Sequence, residues 1–396
     1  MKSFTYYVPQ HLIFGPGSFK RLATLPMPGK KALIVTTDER LFVEETIALL
    51  KENGGTQSVV YDGIRPNPNS TSINEAARFG AANDCDFVVS IGGGSPMDAA
   101  QCIAMLMYDG PENDIWDYVQ YYEGHRVPSG CLPMILISTT AGTGSEVVPG
   151  GVLSNDELDI KLDVGDPCMF ATYSIVDPEL QLSVPRDLTA CQGMDVIFHC
   201  VEGYLDKYHS PYSDMVYLEG LKYAAASIKT AYKFPDNLEA RTHMALASNL
   251  AGIGESLSDV MSLHAMAHTI GSFHHDIPHG VALSMFAPEV LEFYATYPIE
   301  TTQRMAYMAD VVGYESTPEG CVRFIKDILK ALDLYAVDYR KYGIDPARCC
   351  EYAHHTVVKI APYMDKDEHS PTEEEVYSLY LRALERHTEL LNKKDY

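Results

Sequence analysis

An α/β domain followed by an all-helical domain is the fold class that the sequence predicts, and three observations predict it. Short apolar runs rich in β-branched residues alternate with helix-period segments through the first half of the chain. Loops of small residues directly follow two of those runs. Beyond Pro185 the β-branched runs stop and helical periodicity continues. Alternating β and α elements specify a mostly parallel, doubly wound sheet, because a parallel crossover needs a helix to return the chain. The division falls near residue 184, with an α/β domain over 1–184 and an all-α domain over 185–396.

The opening residues, with Gly15 and Gly17, read as an edge strand and a turn that lead into the first helix. "KALIVTT" (Lys31 to Thr37) is a continuous apolar run bounded by Gly29 and Asp38, the pattern of a strand buried on both faces. "LFVEETIALLKENG" has helical period and ends at Gly54. "QSVVYDG" reads as a strand and "SINEAARFGAAND" as a helix. "FVVSI" (Phe87 to Ile91) and "LPMILISTT" (Leu132 to Thr140) read as further strands. After the boundary, "DVIFHCVEGYLDKY", "DMVYLEGLKYAAASIKTAYK", "LEARTHMALASNLAGIG", "VMSLHAMAHTIGSF" and "EEEVYSLYLRALERHTELLNK" read as helices. The last is expected to start with Ser370 as N-cap, Pro371 at its first position and Glu373 completing a capping box.

The bulk numbers exclude several function classes. A chain of 396 residues with 46% hydrophobic content can bury a large core. Acidic residues outnumber basic ones by 54 to 30, and a net charge of -24 opposes nucleic acid and anionic membranes as partners. Nine cysteines, an odd number without a CxxC pair, fit a reducing compartment. The N-terminus lacks the apolar core of a signal peptide, and no apolar run reaches the roughly 20 residues that span a bilayer. A cytoplasmic location is the expectation.

Two loops point to a nucleotide. In "SIGGGSPMDAAQ", Gly92, Gly93 and Gly94 follow a strand, and Ser95-Pro96 opens a helix. Consecutive glycines admit close approach of a ligand to backbone, and the helix N-terminus adds N–H groups and positive dipole character. A tight strand-to-helix turn without a ligand is the plain alternative, since the loop is neither GxGxxG nor a Walker A. "STTAGTGSE" (Ser138 to Glu146) is the second loop, dense in small residues and hydroxyls. Both loops belong at the carboxyl edge of one parallel sheet, where ligands of open α/β sheets bind.

A separate set of residues points to a metal. "MDVIFHCVEGY" places Asp195 and His199 four apart in an apolar stretch, on one face of a helix. "LHAMAHTIG" carries His264 and His268 with the same spacing, and His279 stands in "PHG". An aspartate with imidazoles suits iron(II) or zinc, whereas calcium and magnesium prefer all-oxygen sets. For His274, His275, His354 and His355 a structural or surface role is the expectation.

In order and spacing, "FGPGSF", "RPNPNST", "GGGSPMDAA", "TTAGTGSEV", "IVDPEL", "GMDVIFHCVEGY", "HAMAHTIG" and "PHGVAL" resemble the iron-containing (group III) alcohol dehydrogenase family over nearly the whole chain. The resemblance implies an N-terminal dinucleotide-binding domain, a C-terminal helical metal-binding domain and a metal in the cleft between them. It implies Asp195, His199, His264 and His279 as metal ligands, and His268 as the residue that assists proton transfer. It implies cofactor contacts from Gly93, Gly94, Ser95, Thr139, Thr140, Thr143, Asn67 and Lys161. Gln101 departs from the family's usual lysine after "DAA", and Gly150 stands where an asparagine is common. Thr37 occupies the place where NAD-preferring members often carry an aspartate, with Asp38 one residue on. An acidic group there bonds a ribose 2'-hydroxyl and repels a 2'-phosphate, so NAD is favoured over NADP. The implied reaction is hydride transfer between the nicotinamide and a small alcohol or aldehyde, with Fe2+ as metal and Zn2+ the alternative. A zinc-type polyol oxidoreductase like glycerol dehydrogenase and a non-catalytic nucleotide sensor are the competing readings. A homodimer is expected, with pairing of the N-terminal edge strand one means to it.

Overall fold

The computed structural model describes residues 3–121 and 124–393. The chain divides into two compact units, one spanning Tyr7–Ser183 and the other running from Val184 onward together with the residues up to Tyr6.

The first unit is built on eight strands and three α-helices. In chain order they are β1 (His11–Phe14), β2 (Lys31–Val35), α1 (Val43–Glu52), β3 (Gln57–Tyr61), α2 (Ser70–Ala82), β4 (Phe87–Gly92), α3 (Gly94–Asp109), β5 (Met134–Ser138), β6 (Gly150–Asn155), β7 (Ile160–Gly165) and β8 (Tyr173–Val176). Six strands form one sheet in the order β1-β8-β5-β4-β2-β3, and every pairing in it is parallel. The continuous apolar runs are its centre: Ala32, Leu33, Ile34 and Val35 of β2, and Phe87, Val88, Val89 and Ile91 of β4, are fully buried. β1 is an edge strand, as its exposed, partly polar sequence implies. Gly17, with φ +78°, turns the chain into a 3-10 helix (Ser18–Ala23), and Asp177 accepts the N–H groups of Gly17 and Phe19.

Three strands of this unit, β6, β7 and β8, escape the sequence reading. β6 and β7 form a two-stranded antiparallel hairpin, where the sequence offers only short alternating runs around "NDELD". Gln101 explains its position. Its buried amide donates to the Ser145 carbonyl (3.1 Å) and accepts from Gly150 N–H (2.8 Å), tying the second loop to the hairpin.

Among its described residues the second unit contains helices and no strand. They are α4 (Arg186–Leu205), α5 (Pro211–Lys233), α6 (Leu238–Glu255), α7 (Ser262–Phe273), α8 (His279–Tyr294), α9 (Ile299–Val311), α10 (Pro318–Ala331), α11 (Cys349–Lys359), α12 (Ala361–Met364) and α13 (Glu373–Asn392). α4 starts well before Asp195, directly after Pro185, whose fixed φ suits a helix entry. α13 corrects the expected start. Its N-cap is Thr372 and its capping box closes with Glu375, so Ser370, Pro371 and Glu373 do not play those parts. A Thr-x-x-Glu box lies two residues beyond the Ser-Pro signal, and the side chain that reaches the N3 amide decides between them. No described helix is long and apolar enough to cross a membrane.

Candidate active site

The parallel sheet aims the ends of β2, β4 and β5 at one edge. Gly93 is the N-cap of the 16-residue α3, and no side chain caps it. Gly94 is required by close approach. A Cβ there falls 2.7 Å from Thr143 Cγ2 and 2.8 Å from its Oγ1, while one on Gly93 meets Thr140 Oγ1 at 3.0 Å. The glycine loop and the threonine loop thus lie face to face. Thr139 N–H donates to the Gly92 carbonyl (2.9 Å), which fixes the two loops together at their roots.

Three other expected residues join this edge as a chain. Asn67, with φ +54°, donates its N–H to Ser95 Oγ (3.3 Å), and Lys161 Nζ donates to Asn67 Oδ1 (2.9 Å). Thr37 and Asp38 follow the end of β2, next to β4, and Asp38 is exposed. Arg40, the next basic residue along the chain, is held by Asp62 (2.9 Å) and Glu44 (3.3 Å).

In the helical unit, Asp195 and His199 occupy one face of α4, and His264 faces them from α7. One donor atom from each lies within 4.8 Å of the others, and all three residues are buried. His279 begins α8 and brings Nε2 to 3.7 Å from Asp195 Oδ1. Gly280 permits that approach, because a Cβ there would overlap the Cys191 carbonyl of α4. His268 lies one turn beyond His264, with its ring 5.2 Å from His279 and edge-on to Tyr363 at 5.1 Å.

The donors fit a metal ion. Asp195 Oδ1 and His264 Nε2 are buried without a hydrogen-bond partner, an arrangement that is costly unless a cation satisfies it. They are 3.8 Å apart, too far for a hydrogen bond. Two donors about 2.1 Å from one ion lie at most about 4.2 Å apart, so the spacing is right for a shared ion. His199 donates Nδ1–H to the Asp195 carbonyl (2.9 Å), which leaves its Nε2 lone pair for a ligand role. Electrostatics agree. Burial alone would raise the Asp195 carboxyl, but facing His199, His264 and His279 hold it well below the usual carboxylate range. Burial works against charge on His264 as well, yet Glu202 and Asp195 push it up to about 10. His199 is lowered, chiefly by burial. The Asp195 carboxylate favours positive charge beside it, and oxygen with imidazole nitrogen suits a transition-metal ion.

Four residues of this neighbourhood escape the sequence reading. Glu202 meets His264 Nδ1, Glu255 Oε2 stands 3.6 Å from His199 Nε2, Tyr363 backs His268, and buried Asp367 binds the start of α7. Glu202 had a signal: it lies seven residues after Asp195, on the same helix face. Of the histidines expected to be structural, His274 bonds the Tyr352 hydroxyl (2.8 Å), His355 Thr269 (3.3 Å) and His354 Glu373 (3.2 Å). Phe273 packs on Tyr352 and His355.

Comparison with known proteins agrees with this architecture. The family model "Iron-containing alcohol dehydrogenase" matches residues 9–178, and that of the "Fe-containing alcohol dehydrogenase family, C-terminal" matches residues 189–384. The 1,3-propanediol dehydrogenase of Klebsiella pneumoniae is 32% identical over 324 residues, 80% of this chain and 81% of the relative. The choline dehydrogenase of Bacillus subtilis is 30% identical, over 87% of each chain. Among solved structures, the sulfoacetaldehyde reductase of Bifidobacterium kashiwanohense in complex with NAD+ superimposes with a TM-score of 0.85 at 27% identity, covering 97% of this chain and 99% of that one. A 1,3-propanediol oxidoreductase gives 0.86 at 28%, covering 96% and 100%. The chain belongs to the iron-containing alcohol dehydrogenase family. Its activity class is that of a metal-dependent alcohol dehydrogenase, an oxidoreductase acting on CH–OH groups.

Proposed function

We propose that this alcohol dehydrogenase moves hydride between NAD and a small primary alcohol or its aldehyde, at an iron(II) ion held by Asp195, His199, His264 and His279. The observation that carries the reading is the pair of buried, unpartnered donors, Asp195 Oδ1 and His264 Nε2, 3.8 Å apart. When bound, the metal supplies Lewis-acid polarisation of the substrate oxygen. The protein does the rest. Gly93 and Gly94 let the cofactor pyrophosphate approach the start of α3, where backbone N–H groups and the helix dipole favour anions. Ser95, Thr139, Thr140 and Thr143 add hydroxyls, and Asn67 with Lys161 forms a polar arm for the ribose. Asp38 favours NAD, and the carboxylates around Arg40 occupy the cation that a 2'-phosphate would need. His268, beside the cluster yet not among its closest donors, is assigned the proton: it passes the alcohol proton outward in oxidation and returns it in reduction. Nine thiols, all free, suit a reducing cytoplasm, and β1 offers its unpaired edge for a homodimer.

The test is NADH and NADPH oxidation by anaerobically purified protein, reconstituted with Fe2+ or Zn2+, against a panel of small aldehydes. Iron-dependent turnover with NADH is expected. Preference for NADPH overturns the cofactor assignment, and preference for Zn2+ overturns the metal. Tight NADH binding without turnover on any aldehyde favours a nucleotide sensor. His268→Ala is expected to keep the metal and lose turnover.

A further inference from the structure

We propose that Glu202 is a positioning residue for the metal centre, holding His264 in the tautomer and orientation that aim its Nε2 lone pair at the ion. This inference rests on the reading of His264 as a ligand. Glu202 lies on α4, seven residues beyond Asp195, and is fully buried. Its carboxylate is engaged at both oxygens. Oε1 accepts the N–H groups of Met261 (3.2 Å) and Leu263 (3.0 Å) and the Tyr294 hydroxyl (3.2 Å). Oε2 faces Nδ1 of His264.

The two oxygens have separable tasks. Met261 is the N-cap of α7, so Oε1 serves the amides that a helix leaves unsatisfied at its start. Capping requires no more than that. The adjacent amide, Ser262 N–H, is accepted by another buried carboxylate, Asp367 (3.0 Å), so Oε2 is not needed there. It is given to the imidazole. With Oε1 accepting from three donors, the Glu202 side chain acts as an acceptor, and Nδ1 of His264 is the donor to Oε2. A neutral imidazole with Nδ1–H carries its lone pair on Nε2, the atom that faces Asp195 Oδ1. The three donors on Oε1 keep the carboxylate from swinging away, and the positive end of α7 offsets its charge. α4 thus contributes a ligand at Asp195 and an orienting carboxylate two turns later, and the latter anchors the helix carrying the opposing ligand. Carboxylate–histidine–metal relays of this kind set ring orientation and ligand basicity.

Glu202→Gln separates positioning from capping. The amide oxygen still accepts from Met261 and Leu263, but its NH2 group now points at His264 Nδ1. That reverses the hydrogen bond, moves the imidazole proton to Nε2 and blocks the ligand atom. Metal-free protein is titrated with Co2+ alone and followed by the visible bands of the bound ion. The variant is expected to bind about 10- to 100-fold more weakly than the wild type, with the helix content of the metal-free protein unchanged. Equal Co2+ affinity and an equal spectrum overturn the inference while the metal reading stands. Wild type that binds no Co2+ overturns both. Should Glu202→Gln fail to fold, the 15N spectrum of zinc-loaded wild type labelled at histidine decides: a proton on Nδ1 of His264 supports the inference, and an unprotonated Nδ1 overturns it.

Discussion

The sheet edge and the helical cluster use opposite materials. At the edge, Gly93 and Gly94 meet Thr140 and Thr143, so the surface offered to a ligand is largely backbone and neutral hydroxyl. In the cluster, Asp195, His199 and His264 are buried ionisable groups supplied by two helices far apart in sequence. The difference follows from the ligands each suits. A pyrophosphate is large and anionic, and many weak N–H and O–H donors at a helix N-terminus can share it. A divalent ion is small and needs a few strong donors at fixed distance, which only side chains anchored at their second atoms can give. The edge therefore tolerates exchange of hydroxyls and is sensitive to added volume. The cluster is sensitive to the loss of any one atom.

The largest effect tests the cluster. Asp195→Ala is expected to lose the metal and to lower turnover by about three orders of magnitude, since polarising the reacting oxygen is worth several kcal/mol. Metal analysis and steady-state rates check it, and a variant that keeps both ion and rate breaks the assignment. At the edge, Gly94→Ala puts a Cβ 2.7 Å from Thr143 Cγ2. NADH affinity is expected to fall about tenfold, the scale of modest overpacking, with metal content unchanged. A fall in metal content as well would mean that the two regions do not act independently.

Buried ionisable groups also make the helical unit responsive to acid. His387 on α13 is fully buried, accepts Val337 N–H (3.0 Å) and lies against the Met285 carbonyl (3.1 Å). Burial, aided by the Arg386 charge, pushes it down to about 3 from an ordinary 6.5. A lowered base stabilises the fold above pH 6.5, and that stability drains as pH falls toward 3. By pH 5 the loss is about 2 kcal/mol. Denaturant unfolding at pH 7 and pH 5 is expected to show that extra loss in wild type and not in His387→Gln, which keeps an acceptor and a donor but does not titrate. The smallest effect concerns the cap of α13: Thr372→Ala is expected to cost about 1 kcal/mol, and Ser370→Ala less than about 0.5 kcal/mol.

The sequence by itself determined the alternation of strands and helices in the first unit, its parallel sheet and the helical character of the second unit. A short apolar run bounded by turn residues, and a glycine triplet between a strand and a helix, each leave a local pattern, so the strand of "KALIV" and the turn of "GGGSP" were legible locally. The four-residue spacing of Asp195 and His199 was legible for the same reason, because a helix converts it into one face. What only the tertiary structure decided were pairings between segments distant in sequence. The hairpin of β6 and β7 rests on Gln101, about 50 residues earlier. Thr372 rather than Ser370 caps α13, a choice made by which hydroxyl reaches an amide. Glu202 and His264 are 62 residues apart, and no local period connects them. Their meeting depends on how α4 packs on α7, and packing is set by the whole core and not by either segment.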